Sequence, residues 1–212
     1  MKKLMLSITI VSLLVLLLSS ASFSQIGFGQ GFKGGLVTST FTGDDATDAI
    51  RRTGYIAGFF MDFSLGPLGI QPEVLYVMKG ADFEDVEEGM PTNFRYKLGY
   101  IEIPVLAKLT ITALPAFKLY VFGGPSVALL VSAKRETEMG TTSLEIDIKD
   151  DLKNLDVGLV LGVGVGLSRL TFDVRYTKGN STLDYYDMVE DPTHDFRNSK
   201  NSVLAATVGI SL

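Results

Sequence analysis

Five carboxylates stand apart from the other acidic residues of this 212-residue chain: Asp62, Glu73, Glu102, Asp156 and Asp173. Each lies in a stretch where apolar residues alternate with small or polar ones. Each takes the parity opposite the apolar face, and Lys108 and Arg175 do the same. Acids and cations that meet in a shielded space must neutralise one another, because an isolated buried charge is too costly to keep. The candidate constellation is therefore Glu73, Glu102, Lys108, Asp173 and Arg175. It reads first as a structural ion-pair network and second as a gated ion or proton path.

Other residues offer weaker chemistry. His194 is the only histidine and has Asp191, Asp195 and Ser199 nearby. A triad needs nucleophile, base and orienting acid in mutual reach, and closeness in one polar segment does not supply that. Acidic groups at Asp44/Asp45/Asp48, Glu84/Asp85/Glu87/Glu88 and Asp147/Asp150/Asp151 have no EF-hand spacing, so they read as solvated charge. The run Gly162-Val163-Gly164-Val165-Gly166 lacks GxGxxG spacing and a following helix. It reads as small inward residues that relieve crowding inside a barrel. There is no cysteine, hence no disulfide and no thiolate metal site. A net charge of −5 argues against a nucleic-acid partner. No catalytic, cofactor-binding or metal site is assigned.

The alternating stretches that must position these charges number eight, at about 31–40, 53–65, 68–80, 95–111, 117–133, 155–167, 170–178 and 202–212. The stretch at 155–167 is the clearest, with Leu155, Val157, Leu159, Leu161, Val163, Val165 and Leu167 on one parity. Three links are short, at Gly66-Pro67, around Ala113-Leu114-Pro115 and at Ser168-Arg169. Four are long and polar, at about 41–52, 81–94, 134–152 and 179–201. Long and short links alternate throughout, which is the pattern of an antiparallel up-and-down transmembrane β-barrel with short periplasmic turns and longer outer loops. Of 24 acidic residues, all but the five strand carboxylates fall in the four long links. A charge facing lipid costs roughly 2–4 kcal/mol at mid-bilayer for Arg or Lys. The apolar parity can therefore face lipid, and the charged parity faces the lumen. Arg95 and Lys97 break this rule at the outer end of the fourth stretch.

Residues 1–24 read as a cleaved secretory signal: Lys2 and Lys3, an apolar run from Leu4 to Leu18, then small residues to Ser24. Cleavage there leaves residues 25–212 as an outer-membrane barrel domain with net charge −7. No later apolar run approaches the length of about 20 residues that a spanning helix needs. A membrane location then requires a barrel, the other fold that satisfies its backbone in lipid.

Two strand motifs carry a resemblance. Ile70-Gln71-Pro72-Glu73-Val74-Leu75-Tyr76 and Tyr100-Ile101-Glu102-Ile103-Pro104-Val105-Leu106-Ala107-Lys108 resemble paired strands of the PorT-like, porin-like outer-membrane β-barrel family. Lys33-Gly34-Gly35-Leu36, Gly123-Gly124-Pro125 and Asp173-Val174-Arg175-Tyr176 are similar to that family too. The resemblance spans about 26–212 and implies an eight-stranded barrel in the outer membrane, without naming a substrate.

The resulting expectation is a non-enzymatic integral outer-membrane protein with acidic outer loops and a side-chain-filled lumen. Its expected partners are membrane lipid and other envelope proteins, with no cofactor. A secretion- or transport-associated subunit with a narrow pore is the alternative. A soluble lipocalin-like ligand binder is a third reading, and it requires the apolar parity to face inward.

Overall fold

A computed structural model describes residues 26–42, 50–87, 90–114, 116–139, 142–149, 154–180 and 200–212. The signal segment, His194 and the Asp44, Asp45 and Asp48 group lie outside these residues. The described residues form nine strands: β1 (Ile26–Thr42), β2 (Ile50–Leu65), β3 (Leu68–Glu87), β4 (Met90–Leu114), β5 (Phe117–Met139), β6 (Thr142–Asp147), β7 (Leu155–Leu167), β8 (Leu170–Gly179) and β9 (Lys200–Ser211).

Eight of them close a barrel. Each of β1 to β5 pairs antiparallel with its successor, β5 continues to β7, β8 and β9 follow, and β9 returns to β1. Closure removes the free edges that lipid could not satisfy. The short links fall where expected. Gly66 opens the β2–β3 turn at φ 62°, a left-handed value that glycine adopts without strain, and Ser168 opens the β7–β8 turn at φ 56°.

The alternation sorts side chains as the charges require. Leu159, Leu161 and Val163 are 54–58% exposed, as are Ile70, Val74, Val105, Val174, Leu204 and Val208 to similar degrees. On the opposite parity Glu73, Leu75, Val77, Glu102, Leu106 and Val160 are buried. The apolar parity faces out, the reverse of what a soluble ligand-binding barrel needs. Tyr55 and Tyr76 lie 5.7 Å apart between ring centres near the outer end, where amphipathic rings favour the membrane interface.

Two of the long links expected as polar loops are largely strand among the described residues. β3 and β4 stay paired as far as Glu87 and Met90, and β5 runs on to Met139 before β6, which among the described residues pairs with Lys134–Met139. At 20, 25 and 23 residues, β3, β4 and β5 far exceed the 9–11 or so that span a bilayer. The physical reason is an inversion of amphipathicity at the membrane surface. Above it, the inward parity is apolar and buried (Ala81, Phe94, Tyr96, Leu98, Ala133), and the outward parity is ionic. A strand sought by its apolar outward face ends at the rim. One residue beyond β6 the same register continues: Ile148 donates its N–H to the Ala133 carbonyl and buries its side chain in this cluster.

Arg95 and Lys97 are thereby accounted for. Arg95 Nη1 lies 2.7 Å from Glu138 Oε1, and Lys97 Nζ lies 2.7 Å from Glu136 Oε2. Lys134 Nζ, one strand over, reaches Glu145 Oε1 at 2.6 Å. Lys97 holds the Glu136 carboxyl below its usual pKa, Lys134 does so for Glu145, and Glu145 raises Lys134. The depressed carboxylates contribute stability above their ordinary pKa and lose it as pH falls through the lowered value. The raised lysine contributes below its ordinary pKa and loses this only at alkaline pH. Acidification below about pH 4 is therefore expected to speed amide exchange along 134–139 and 142–147 before it does so in the membrane-spanning strands. Exchange followed by mass spectrometry checks this. Uniform behaviour of both regions would contradict the assignment of these charges to the hairpin alone.

The lumen as candidate functional site

Strand pairing decides which inward side chains meet. Around the barrel, Glu102 is level with Ala128, and Ala128 with Asp156. Asp173 is level with Gly164 and Thr207, Arg175 with Gly162 and Ala205, and Lys33 with Gly58 and Gly209. Long charged side chains thus stand beside glycine, alanine or threonine, which leaves room for them to reach across a lumen that eight strands make only as wide as its side chains.

The charges form three groups along the barrel. Nearest the short turns, Lys108 Nζ lies 2.5 Å from Asp62 Oδ2, donates to Gln71 Oε1 at 2.9 Å, and sits 4.6 Å from the centre of the Tyr120 ring. In the middle, Glu73 accepts from Lys33 at 2.7 Å and from Arg175 Nη1 at 2.6 Å. Asp173 takes Arg175 at 3.1 Å and Lys33 at 3.3 Å. Gln71 Nε2 donates to Glu73 Oε1 at 2.6 Å and so links this group to the one below. The four charged side chains of the middle group are 0–3% exposed and balance two against two. Towards the outer end, Lys79 Nζ lies 2.9 Å from Glu102 and 4.0 Å from Asp156, and Asn201 Nδ2 donates to Asp156 Oδ2 at 3.1 Å.

Aromatic and aliphatic side chains fill what the charges leave. Phe122 lies under the Arg175 guanidinium at 5.2 Å and Tyr100 under Lys79 at 4.8 Å. Leu106, Tyr120, Phe122 and Val160 form one apolar patch, and Val37, Ile56, Leu75, Val77, Val203 and Ala205 another. The outer mouth holds the Phe94, Tyr96, Leu98, Tyr100 and Ile148 cluster. Desolvated, hydrogen-bonded ion pairs of this kind are held in place by their partners.

The structure places Glu73, Glu102, Lys108, Asp173 and Arg175 in the lumen but not in one group. Glu73, Asp173 and Arg175 meet. Glu102 turns to Lys79, and Lys108 to Asp62. Sequence reasoning left out Lys79, the partner of Glu102, and missed Lys33, the cation shared by both middle carboxylates. Its signal was available: Phe28, Phe32 and Leu36 are exposed on one parity, which turns Lys33 inward. The glycines of β7 serve close packing. A Cβ on Gly162 would come 2.3 Å from Phe122 Cζ, and one on Gly164 would come 2.4 Å from Tyr120 Cζ.

Among solved structures, the chain is similar to Neisserial surface protein A (12% identity, 88% of this chain and 99% of that one, TM-score 0.45). It is also similar to the attachment invasion locus protein Ail of Yersinia pestis (14% identity, 87% and 98%, TM-score 0.42). A third is the N-terminal β-barrel domain of Pseudomonas aeruginosa OprF (10% identity, 87% and 99%, TM-score 0.31). No curated protein matches the sequence. The family described as outer membrane protein beta-barrel domain matches over residues 19–181, through seven of the eight barrel strands. With its closed antiparallel barrel, apolar outer face and paired interior charges, the chain belongs to the outer membrane protein β-barrel domain family.

Proposed function

We propose that this protein is a non-enzymatic scaffold of the outer membrane: a barrel whose lumen is plugged by its own ion pairs and which presents an acidic outer surface to other envelope components. The observation that carries this reading is the middle group, in which Lys33, Glu73, Asp173 and Arg175 meet with their charged side chains 0–3% exposed. Charges so placed close the lumen electrically and sterically. The signal at 1–24 is removed on export and the mature chain is 25–212. The motifs at Ile70–Tyr76 and Tyr100–Lys108 support a place near the PorT-like branch. Conductance in planar bilayers tests the plug. The refolded barrel is expected to leave the membrane silent, as is the variant Glu102→Gln. Steps of current that change with Glu102→Gln would overturn the scaffold in favour of a narrow pore.

A further inference from the structure

Ile70–Tyr76, Tyr100–Lys108 and Gly123-Gly124-Pro125 share one residue type that the lumen does not explain. Pro72 lies on β3, Pro104 on β4 and Pro125 on β5, each inside a strand with a neighbour on both sides. Proline has no N–H to give a ladder, and within sheets it is confined to edges, strand starts and bulges. Pairing lapses beside all three. The gaps lie between Phe60↔Glu73 and Phe63↔Ile70, between Pro72↔Val105 and Leu75↔Glu102, and between Pro104↔Ser126 and Ala107↔Gly123. The register is the same on both sides of each gap, so no bulge has been inserted. Carried through the gaps, it sets Pro72 opposite Met61, Pro104 opposite Glu73 and Pro125 opposite Val105. Each proline thus denies a donor to the strand before it, along two adjacent rows of the sheet. The other half of the barrel differs. β7, β8, β9 and β1 contain no proline, and the pairings from β5 round to β2 through these strands run without a gap.

We propose that these three prolines make the β2–β5 wall a seam that opens locally while the rest of the barrel stays paired, and that Glu73 moves with it. The side chains that flank the gaps face lipid: Val74, Ile103, Val105 and Val127 are 42–50% exposed. Lipid supplies no donor to replace the missing ones, so each gap weakens the wall where water cannot mend it. Local opening costs only the interactions that it breaks, and a weakened ladder therefore opens first. The seam runs through the hub of the middle group. Pro104 faces the backbone of Glu73, whose carboxylate holds Lys33, Arg175 and Gln71. Lys33, Asp173 and Arg175 stand on β1 and β8, in the unbroken half. Opening of the seam separates Glu73 from its cations without unfolding the barrel. The role given to Glu73 rests on the plug reading, and the seam itself does not.

Amide exchange of the full barrel in detergent micelles, followed residue by residue by NMR, tests the seam. After correction for sequence, the N–H groups of Met61, Glu73 and Val105 are expected to exchange about tenfold faster than those of Val163, Val174 and Ala206, a factor of the size that one hydrogen bond supplies. The latter three are level with one another in the unbroken half. Pro72→Ala and Pro125→Ala each return a donor without opening the lumen, since both side chains lie on the lipid-facing parity. Pro72→Ala is expected to slow exchange at Met61, and Pro125→Ala at Val105, by about fivefold each, with Val163, Val174 and Ala206 unchanged. If neither variant folds, the comparison within the wild type decides alone. Equal protection in the two halves, or a folded variant whose exchange is unchanged or changes uniformly at all six sites, overturns the seam. Fast exchange at Met61 and Val105 with Glu73 as protected as Val163 overturns the movement of Glu73. Conductance tests the plug separately, so a leaking barrel with uniform exchange is told apart from a silent one with an open seam.

Discussion

Replacing Glu73 by leucine is expected to destabilise the barrel by about 3–5 kcal/mol, the cost of leaving buried charges without their partner. Glu73 is the hub of the middle group: it takes Lys33 at 2.7 Å, Arg175 at 2.6 Å and Gln71 at 2.6 Å. Without it, two cations share the single carboxylate of Asp173 in a space that water does not reach. Removing the whole group should behave differently. Lys33→Met, Glu73→Leu, Asp173→Leu and Arg175→Met together leave no stranded charge, and buried ion pairs replaced by apolar groups of similar volume are often neutral or stabilising. The fourfold variant is therefore expected to unfold at higher urea than Glu73→Leu alone. The chain has no tryptophan, so unfolding in micelles is followed by far-UV circular dichroism and by gel mobility of the unheated protein. Unfolding of Glu73→Leu at the wild-type urea concentration would mean that the middle group is hydrated, and the plug reading would fall with it.

The membrane-embedded part of this fold was legible because lipid imposes a strict rule. Every residue on one parity must be apolar, so Leu155 to Leu167 and Leu170 to Tyr176 announce both strand and facing, and any charge between them must point inward. Asp62, Glu73, Glu102, Asp156 and Asp173 could be placed in this way without coordinates. Above the bilayer the rule lapses. Phe94, Tyr96 and Ala133 face inward there while Arg95, Lys97 and Glu136 face water, so the outer hairpins look like polar loops to a reader seeking apolar outward faces. Partner choice was illegible for another reason. Parity gives the side on which a charge lies, but its height depends on strand stagger. That is why the pairing of Glu102 with Lys79 on β3, and of Glu73 and Asp173 with Lys33 on β1, could not be read from parity.

The glycines of β7 yield the second large effect. Gly164→Ala is expected to cost about 1–3 kcal/mol, as overpacking in a full interior does. The added carbon would stand 2.4 Å from Tyr120 Cζ and 2.6 Å from its hydroxyl oxygen. The Tyr120 ring cannot swing freely, because the Lys108 ammonium lies over it and Phe122 lies 6.0 Å away between ring centres. Gly162→Ala meets Phe122 in the same way, with Cζ at 2.3 Å, and that ring supports Arg175. Two residues along, a Cβ on Gly166 would find its nearest neighbour, Lys118 Cβ, at an ordinary 3.6 Å. Gly166→Ala is therefore expected to be neutral or slightly stabilising, since alanine restricts the unfolded chain more than glycine. If the ring is the cause, Gly164→Ala should cost little in a Tyr120→Leu background, giving a coupling energy on the order of 1–3 kcal/mol. Urea unfolding of the four proteins in that cycle measures it. Equal costs at Gly164 and Gly166, or a cost at Gly164 that persists without the ring, would show that β7 needs its glycines for backbone freedom rather than for space.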